Sequence, residues 1–166
     1  MGARSRKTGA AVENRVARLL TATTGTLWRR TTIGRSQAAC GDVAPDVWPP
    51  ASHPSWSESH ALVEVKAHAV TTIGHIVSPT KQLRGWWAKA RDDAAEYGRA
   101  HVLFLRVKGR GLVALGQHEH LREILDCPTP PSWYVSNIAW LAEGDESGTP
   151  PEWFQAWDVT TLEVPA

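Results

Sequence analysis

The chain has 166 residues, 42% of them hydrophobic, with 18 bases against 17 acids and a net charge of +1. That length suits one domain with a real core, and no apolar run is long enough to span a bilayer. Two cysteines make no disulfide framework, no Cys/His group has zinc spacing and no secretory apolar stretch follows the start, so a cytoplasmic protein is expected.

The near-neutral balance hides a gradient. Residues 1–40 carry eight bases against Glu13 alone, and residues 41–110 carry nine bases against seven acids. Residues 111–166 carry one base against nine acids. A basic N-terminal half suits a polyanion partner. A solvated basic tail would give the same count.

Residues 1–8 are small and basic and are expected to order only against a polyanion or a partner. From Gly9 to Thr24, Val12, Val16, Leu19 and Leu20 recur at helical spacing, and Gly25 stops the helix. Glu13 sits at the edge of that stripe on an otherwise basic helix, where Arg15, Arg18 or another nearby base could pair with it. Thr26 to Ile33 reads as a strand, Gly34 to Gly41 as a loop, and Asp42 to Trp48 as a second strand that Pro45 makes an edge or bulged one. Pro49 to Ser59 is a long hairpin connection.

Ala61 to Ala67 reads Ala-Leu-Val-Glu-Val-Lys-Ala and is the third strand. Residues two apart on a strand share a face, so Glu64 and Lys66 point one way while Val63 and Val65 point into a core. Such a pair is either an ordinary ion pair or a site for metal-assisted hydrolysis. In the second case the carboxylate binds a divalent cation and the lysine handles water or negative charge.

Ser78-Pro79 starts a second helix, with Ser as N-cap, that runs to about Tyr97 before Gly98. Leu83, Trp86, Trp87, Ala90, Ala94 and Tyr97 form its apolar stripe. Val102 to Val107 is a buried strand, Lys108 to Gly111 a basic glycine turn and Leu112 to Leu115 its hairpin partner. Leu121 to Leu125 is a short amphipathic helix. His118 and His120 flank Glu119 without sharing a helical face and are expected at the surface rather than on a metal. From Cys127 on, prolines and four tryptophans sit among acids. These tryptophans are expected to pack on the core or a second subunit, with base stacking a lesser alternative.

The order helix, three strands, helix, strand, with Glu13, Asp42 or Asp46, Glu64 and Lys66, resembles the PD-(D/E)xK nuclease superfamily. More narrowly it resembles the phage-type Holliday junction resolvase-like branch. Lys7-Thr-Gly-Ala-Ala-Val-Glu13 matches that branch's first helix, Gly41-Asp42-Val43 its Gly-Asp motif and Glu64-Val65-Lys66 its E-x-K element. Ser78-Pro79 through Trp86-Trp87 to Asp93-Ala94 matches its next helix, and Ala100 to Arg106 the strand after it. The likeness covers about residues 4–116. Where the branch often has a glutamine after the tryptophans, Lys89 stands here, and Gln82 lies two turns earlier. Asp42 fits the Gly-Asp pattern and is taken as the second-strand acid, while Pro45-Asp46 gives the superfamily's literal Pro-Asp.

The resemblance implies an α/β fold with a restriction-endonuclease-like core (αβββαβ, a mixed central sheet flanked by helices) over residues 1–126. A Trp/Pro-rich acidic appendage would follow over residues 127–166. It implies a Mg²⁺- or Mn²⁺-dependent endodeoxyribonuclease with Glu13, Asp42, Glu64 and Lys66 as catalytic residues. Asp42, Glu64 and the Val65 carbonyl would hold the metal, and Arg15, Arg29, Arg30, Arg35 and Lys89 would grip DNA. The expected partners are branched or duplex DNA and a second copy of the chain, with no membrane. A restriction-like, homing-type or repair nickase of the same fold, or a non-catalytic DNA-binding module, are the competing readings.

Overall fold

The Val-rich stretch after Ala61 forms the longest strand, and the sheet is built outward from it. The computed structural model describes residues 3–31, 47–48, 61–127, 129–143 and 154–162. Helix α1 spans Ala3–Thr24, followed by β1 (Arg29–Arg30), β2 (Val47–Trp48) and β3 (Leu62–Thr71). Next come α2 (Ile73–Val77), α3 (Lys81–Ala95), β4 (His101–Val107), β5 (Gly111–Gln117) and α4 (His118–Ile124). The chain closes with β6 (Tyr134–Val135), a 3-10 turn (Ala139–Ala142) and β7 (Phe154–Asp158). Among the described residues these strands form one sheet in the order β1-β2-β3-β4-β5-β7-β6. Strands β3 and β4 are parallel, with Glu64 opposite Leu103 and Lys66 opposite Leu105; the other pairs are antiparallel. A parallel pair needs a crossover, and α2 with α3 supplies it. The mixed α/β, restriction-endonuclease-like core expected from the sequence is therefore present.

Strand alternation divides the core into two layers. Val63, Val65, Val102, Phe104 and Ala114 pack with Val16, Leu19 and Leu20 of α1 and Leu121 and Ile124 of α4. On the other face Leu103, Leu105, Val113 and Leu115 pack with Ile76 of α2, Leu83 and Trp87 of α3 and Trp140. The end of α1 is locked to the sheet by its threonines. Gly25 closes the helix at φ 66°, Thr21 Oγ1 accepts from the Trp28 amide at 2.9 Å, and Thr24 Oγ1 accepts from the Trp28 indole at 3.0 Å.

Several elements differ from the sequence expectation. Helix α1 starts at Ala3 rather than Gly9, because alanine, arginine and lysine favour helix more than the single Gly9 opposes it. Helix α3 is capped by Thr80, whose side chain accepts from the Leu83 amide at 3.2 Å, rather than by Ser78. Helix α2 was not among the predicted elements; it sits where the Thr72 amide donates to His75 Nδ1 at 3.3 Å. His118 and His120 are half-buried rather than exposed. His118 Nδ1 lies 3.1 Å from Gln155 Oε1. Burial pushes the His120 pKa below its ordinary 6.5, with Glu123 and Glu119 opposing.

The acidic C-terminal segment supplies β7, which pairs with β5, and Trp157 is fully buried in the α1-side layer. Its indole donates to Gln155 Oε1 at 2.7 Å, and the Trp140 indole donates to the Ile76 carbonyl at 2.7 Å. Both rings thus bury area without leaving a polar atom unmet. Removing the Trp157 ring leaves a cavity under β5. Trp157→Ala is expected to lower the unfolding free energy by about 3–5 kcal/mol in urea denaturation. A loss near zero would mean that β7 is peripheral.

Candidate active site

Glu64 and Lys66 owe their position to the valines between and beside them. Val63 and Val65 are buried against α1, so alternation turns Glu64 and Lys66 to the α3 face. There their register partners Leu103 and Leu105 belong to the α3-side core. The Glu64 side chain is 16% exposed and Lys66 is 23% exposed, and the Lys66 ammonium donates to Glu64 Oε1. Each charge has lost much of its water, and each supplies the other's compensation.

A second lysine stands on α3, the helix that covers this face of the sheet. Lys89 projects from the middle of α3 and donates to Asp93 Oδ2 at 2.5 Å. That hydrogen bond raises the Lys89 pKa above its ordinary 10.5. Burial opposes the rise, and the charges of Asp93, Glu64 and Glu96 add to it. Gln82, two turns earlier on α3, is exposed.

Glu13 belongs to a different pair. Its Oε2 accepts from Nε of Arg30 on β1, with Glu13 19% and Arg30 30% exposed. Arg30 is opposite Val47, and Val47 is opposite Val63. Directly opposed residues share a face, so Arg30 and Glu13 lie on the α1 side while Glu64 and Lys66 lie on the α3 side. The structure therefore pairs Glu64 with Lys66, Glu13 with Arg30, and Lys89 with Asp93. Arg30, expected to grip DNA, is engaged with this acid, and Arg15 Nη2 donates to the Thr160 carbonyl at 3.2 Å. Arg29 is exposed on β1, and Val65 is buried on β3. Asp42, Asp46 and Arg35 lie outside the described residues.

Among the described residues no three acid, histidine or cysteine side chains converge to hold a metal. The candidate donors, Glu64 and Glu13, are carboxylates, which suit a hard divalent cation such as Mg²⁺ or Mn²⁺. Lys66 at Glu64 and Arg30 at Glu13 hold the positive charge such acids require. Asp93 was missed from sequence, although its spacing of four from Lys89 on a helix is a readable signal. The role of Arg30 toward Glu13 spans 17 residues and leaves no local signal.

A family model described as "Phage putative PDDEXK endonuclease" matches residues 4–143, and the chain belongs to that family. The family lies within the PD-(D/E)xK superfamily, whose nucleases generally use divalent metals. No curated protein and no solved structure matches the chain.

The partly buried Glu13–Arg30 pair ties α1 to the edge of the sheet. A double-mutant cycle of Glu13→Gln and Arg30→Met, read by urea denaturation, is expected to give a coupling of about 1 kcal/mol, at the upper end for such pairs. A coupling indistinguishable from zero would remove this pair from the forces that position α1.

Proposed function

We propose, with that family membership as premise, that the chain is a metal-dependent endodeoxyribonuclease. It hydrolyses phosphodiester bonds in the cytoplasm and selects branched DNA in the manner of Holliday junction resolvases. The observation that carries this reading is the half-buried Glu64–Lys66 pair on β3. A surface ion pair needs no such enclosure, whereas a hydrolytic site needs its charges held in a poorly solvated place.

Glu64, the second-strand acid and the Val65 carbonyl would hold Mg²⁺ or Mn²⁺. When bound, such a cation neutralises phosphate charge and lowers the pKa of water. Lys66 orients or helps deprotonate the attacking water, or stabilises charge building on the phosphate. Glu13, held by Arg30 on the opposite face of the sheet from Glu64, would serve a second cation rather than complete the Glu64 site. Lys89, Arg29 and Arg35 hold the DNA backbone, which positions the duplex without reading sequence.

Two aspartates compete for the second-strand role. Asp42 follows Gly41 in the Gly-Asp pattern. Asp46 is covalently joined to Val47, and Val47 is opposite Val63, the neighbour of Glu64. Asp42 is taken as the ligand on the Gly-Asp pattern, with Asp46 as the alternative.

No recognition helix or base-reading motif is legible in the chain, which favours DNA shape over sequence as the substrate feature. Cutting a junction on two strands asks for two active sites related by a two-fold axis, hence a homodimer.

Wild-type protein is expected to cut a four-way junction in Mg²⁺, not in EDTA, and in preference to a plain duplex and a flap. Asp42→Asn is expected to lower the rate at least about 100-fold, the scale of losing one electrostatic group. Light scattering should give twice the chain mass. Equal cutting of all three substrates would move the protein to a general or sequence-directed nuclease. Full activity in Asp42→Asn with loss in Asp46→Asn would transfer the ligand role to Asp46.

A further inference from the structure

The basic glycine turn between β4 and β5 has no role in the chemistry above, yet it concentrates charge. Arg106, Lys108 and Arg110 fall within five residues and all three are exposed. Among the described residues no acid forms an ion pair with any of them. Asp158 at the end of β7 is engaged elsewhere, its Oδ1 accepting from the Thr160 amide at 3.0 Å.

The turn is held in place rather than left to wave. Gly109 and Gly111 take φ values of 81° and 102°, which side-chain-bearing residues avoid. A Cβ on Gly111 would meet Thr160 Oγ1 at 2.6 Å. Thr160 Oγ1 donates to the Arg110 carbonyl at 2.6 Å and accepts from the Leu112 amide at 2.8 Å. The Arg110 guanidinium lies 4.6 Å from the centre of the Trp133 ring. Arg15 of α1 donates to the carbonyl of the same Thr160, so a fourth cation borders the turn.

Register sets this surface just beyond the candidate site along the strands. Lys66 is opposite Leu105 on the parallel strand β4. Arg106 is the next residue and is opposite Leu112 of the α1-side core, so it turns to the α1 face, the opposite one from Lys66. From Leu105 to the tip at Gly109 is at most about 13 Å at about 3.3 Å per residue. That is about four base-pair rises along a DNA strand. Both strands run toward the same end of the sheet, so the bases extend onward from Lys66.

We propose that the β4–β5 turn is a second DNA-backbone contact, in which Arg106 and Lys108, flanked by Arg110 and Arg15, hold phosphates on one side of the cleavage point. This rests on the nuclease reading above. A rigid exposed cluster of cations without paired acids suits a polyanion whose phosphates follow one another at short spacing.

The test is binding of a labelled DNA duplex by fluorescence anisotropy across a salt series in EDTA, with cleavage in Mg²⁺ measured in parallel. The variants are Arg106→Gln/Lys108→Gln, which leaves Arg110 on Trp133, and Lys108→Glu at the exposed turn. The double variant is expected to bind at least about tenfold more weakly and to reduce the salt slope by about 2, one per lost phosphate contact. Its thermal unfolding should be unchanged, and Lys108→Glu should weaken binding in the same direction. Wild-type affinity and slope in both variants, with cleavage intact in the wild type, would overturn this contact and leave the nuclease standing. Wild-type protein that neither binds nor cuts DNA would overturn both.

Discussion

The structure depends on one constraint, the burial of Val63 and Val65 beneath α1. With those two side chains committed to the core, the period of two along β3 leaves Glu64 and Lys66 no choice of face. They emerge together on the α3 side, partly enclosed, each the other's nearest opposite charge. A one-residue slip of β3 would bury the charges and expose the valines, so the hydrophobic effect that fixes the register also fixes the chemistry. The parallel pairing with β4 extends the constraint, because it requires the α2–α3 crossover that packs Leu83 and Trp87 on the face Glu64 shares.

The charges around this strand are distributed by the same alternation. Glu13 and Arg30 meet on the α1 side of the β1–β2 edge, while Glu64 and Lys66 meet on the α3 side. Among the described residues both acids, Glu13 and Glu64, have a base against them, as poorly solvated carboxylates must. The acidic C-terminal segment is part of the same economy of burial. Its β7 caps β5, its Trp157 fills the α1-side core, and its Thr160 holds the β4–β5 turn.

Much of this was legible in the sequence where a local pattern carried it. The alternation through Ala61–Ala67 gave β3 and the shared face of Glu64 and Lys66, and the spacing of Val16, Leu19 and Leu20 gave the buried stripe of α1. The family match agrees with the motif-level resemblance at the level of the superfamily. What escaped was set by distant partners. Thr80 beats Ser78 as a cap because its hydroxyl meets the Leu83 amide, a geometric fact that two cap-forming residues on either side of Pro79 do not decide. Arg30 reads as a free base until β1 folds back along α1 and delivers it to Glu13. The place of β7 next to β5 depends on a non-local pairing that composition masks, since residues 127–166 read as proline, tryptophan and acid rather than as strand.

The central claim is that Glu64 and Lys66 form a reaction centre and not merely an ion pair that stabilises β3. The measurement that separates these is the single-turnover cleavage rate on saturating DNA, taken with the unfolding free energy, for wild type, Glu64→Gln and Lys66→Met. A reaction centre gives a rate loss of at least about 100-fold in each variant with stability changed by about 1 kcal/mol or less. Wild-type rates in both variants, with the whole effect in stability, would contradict it.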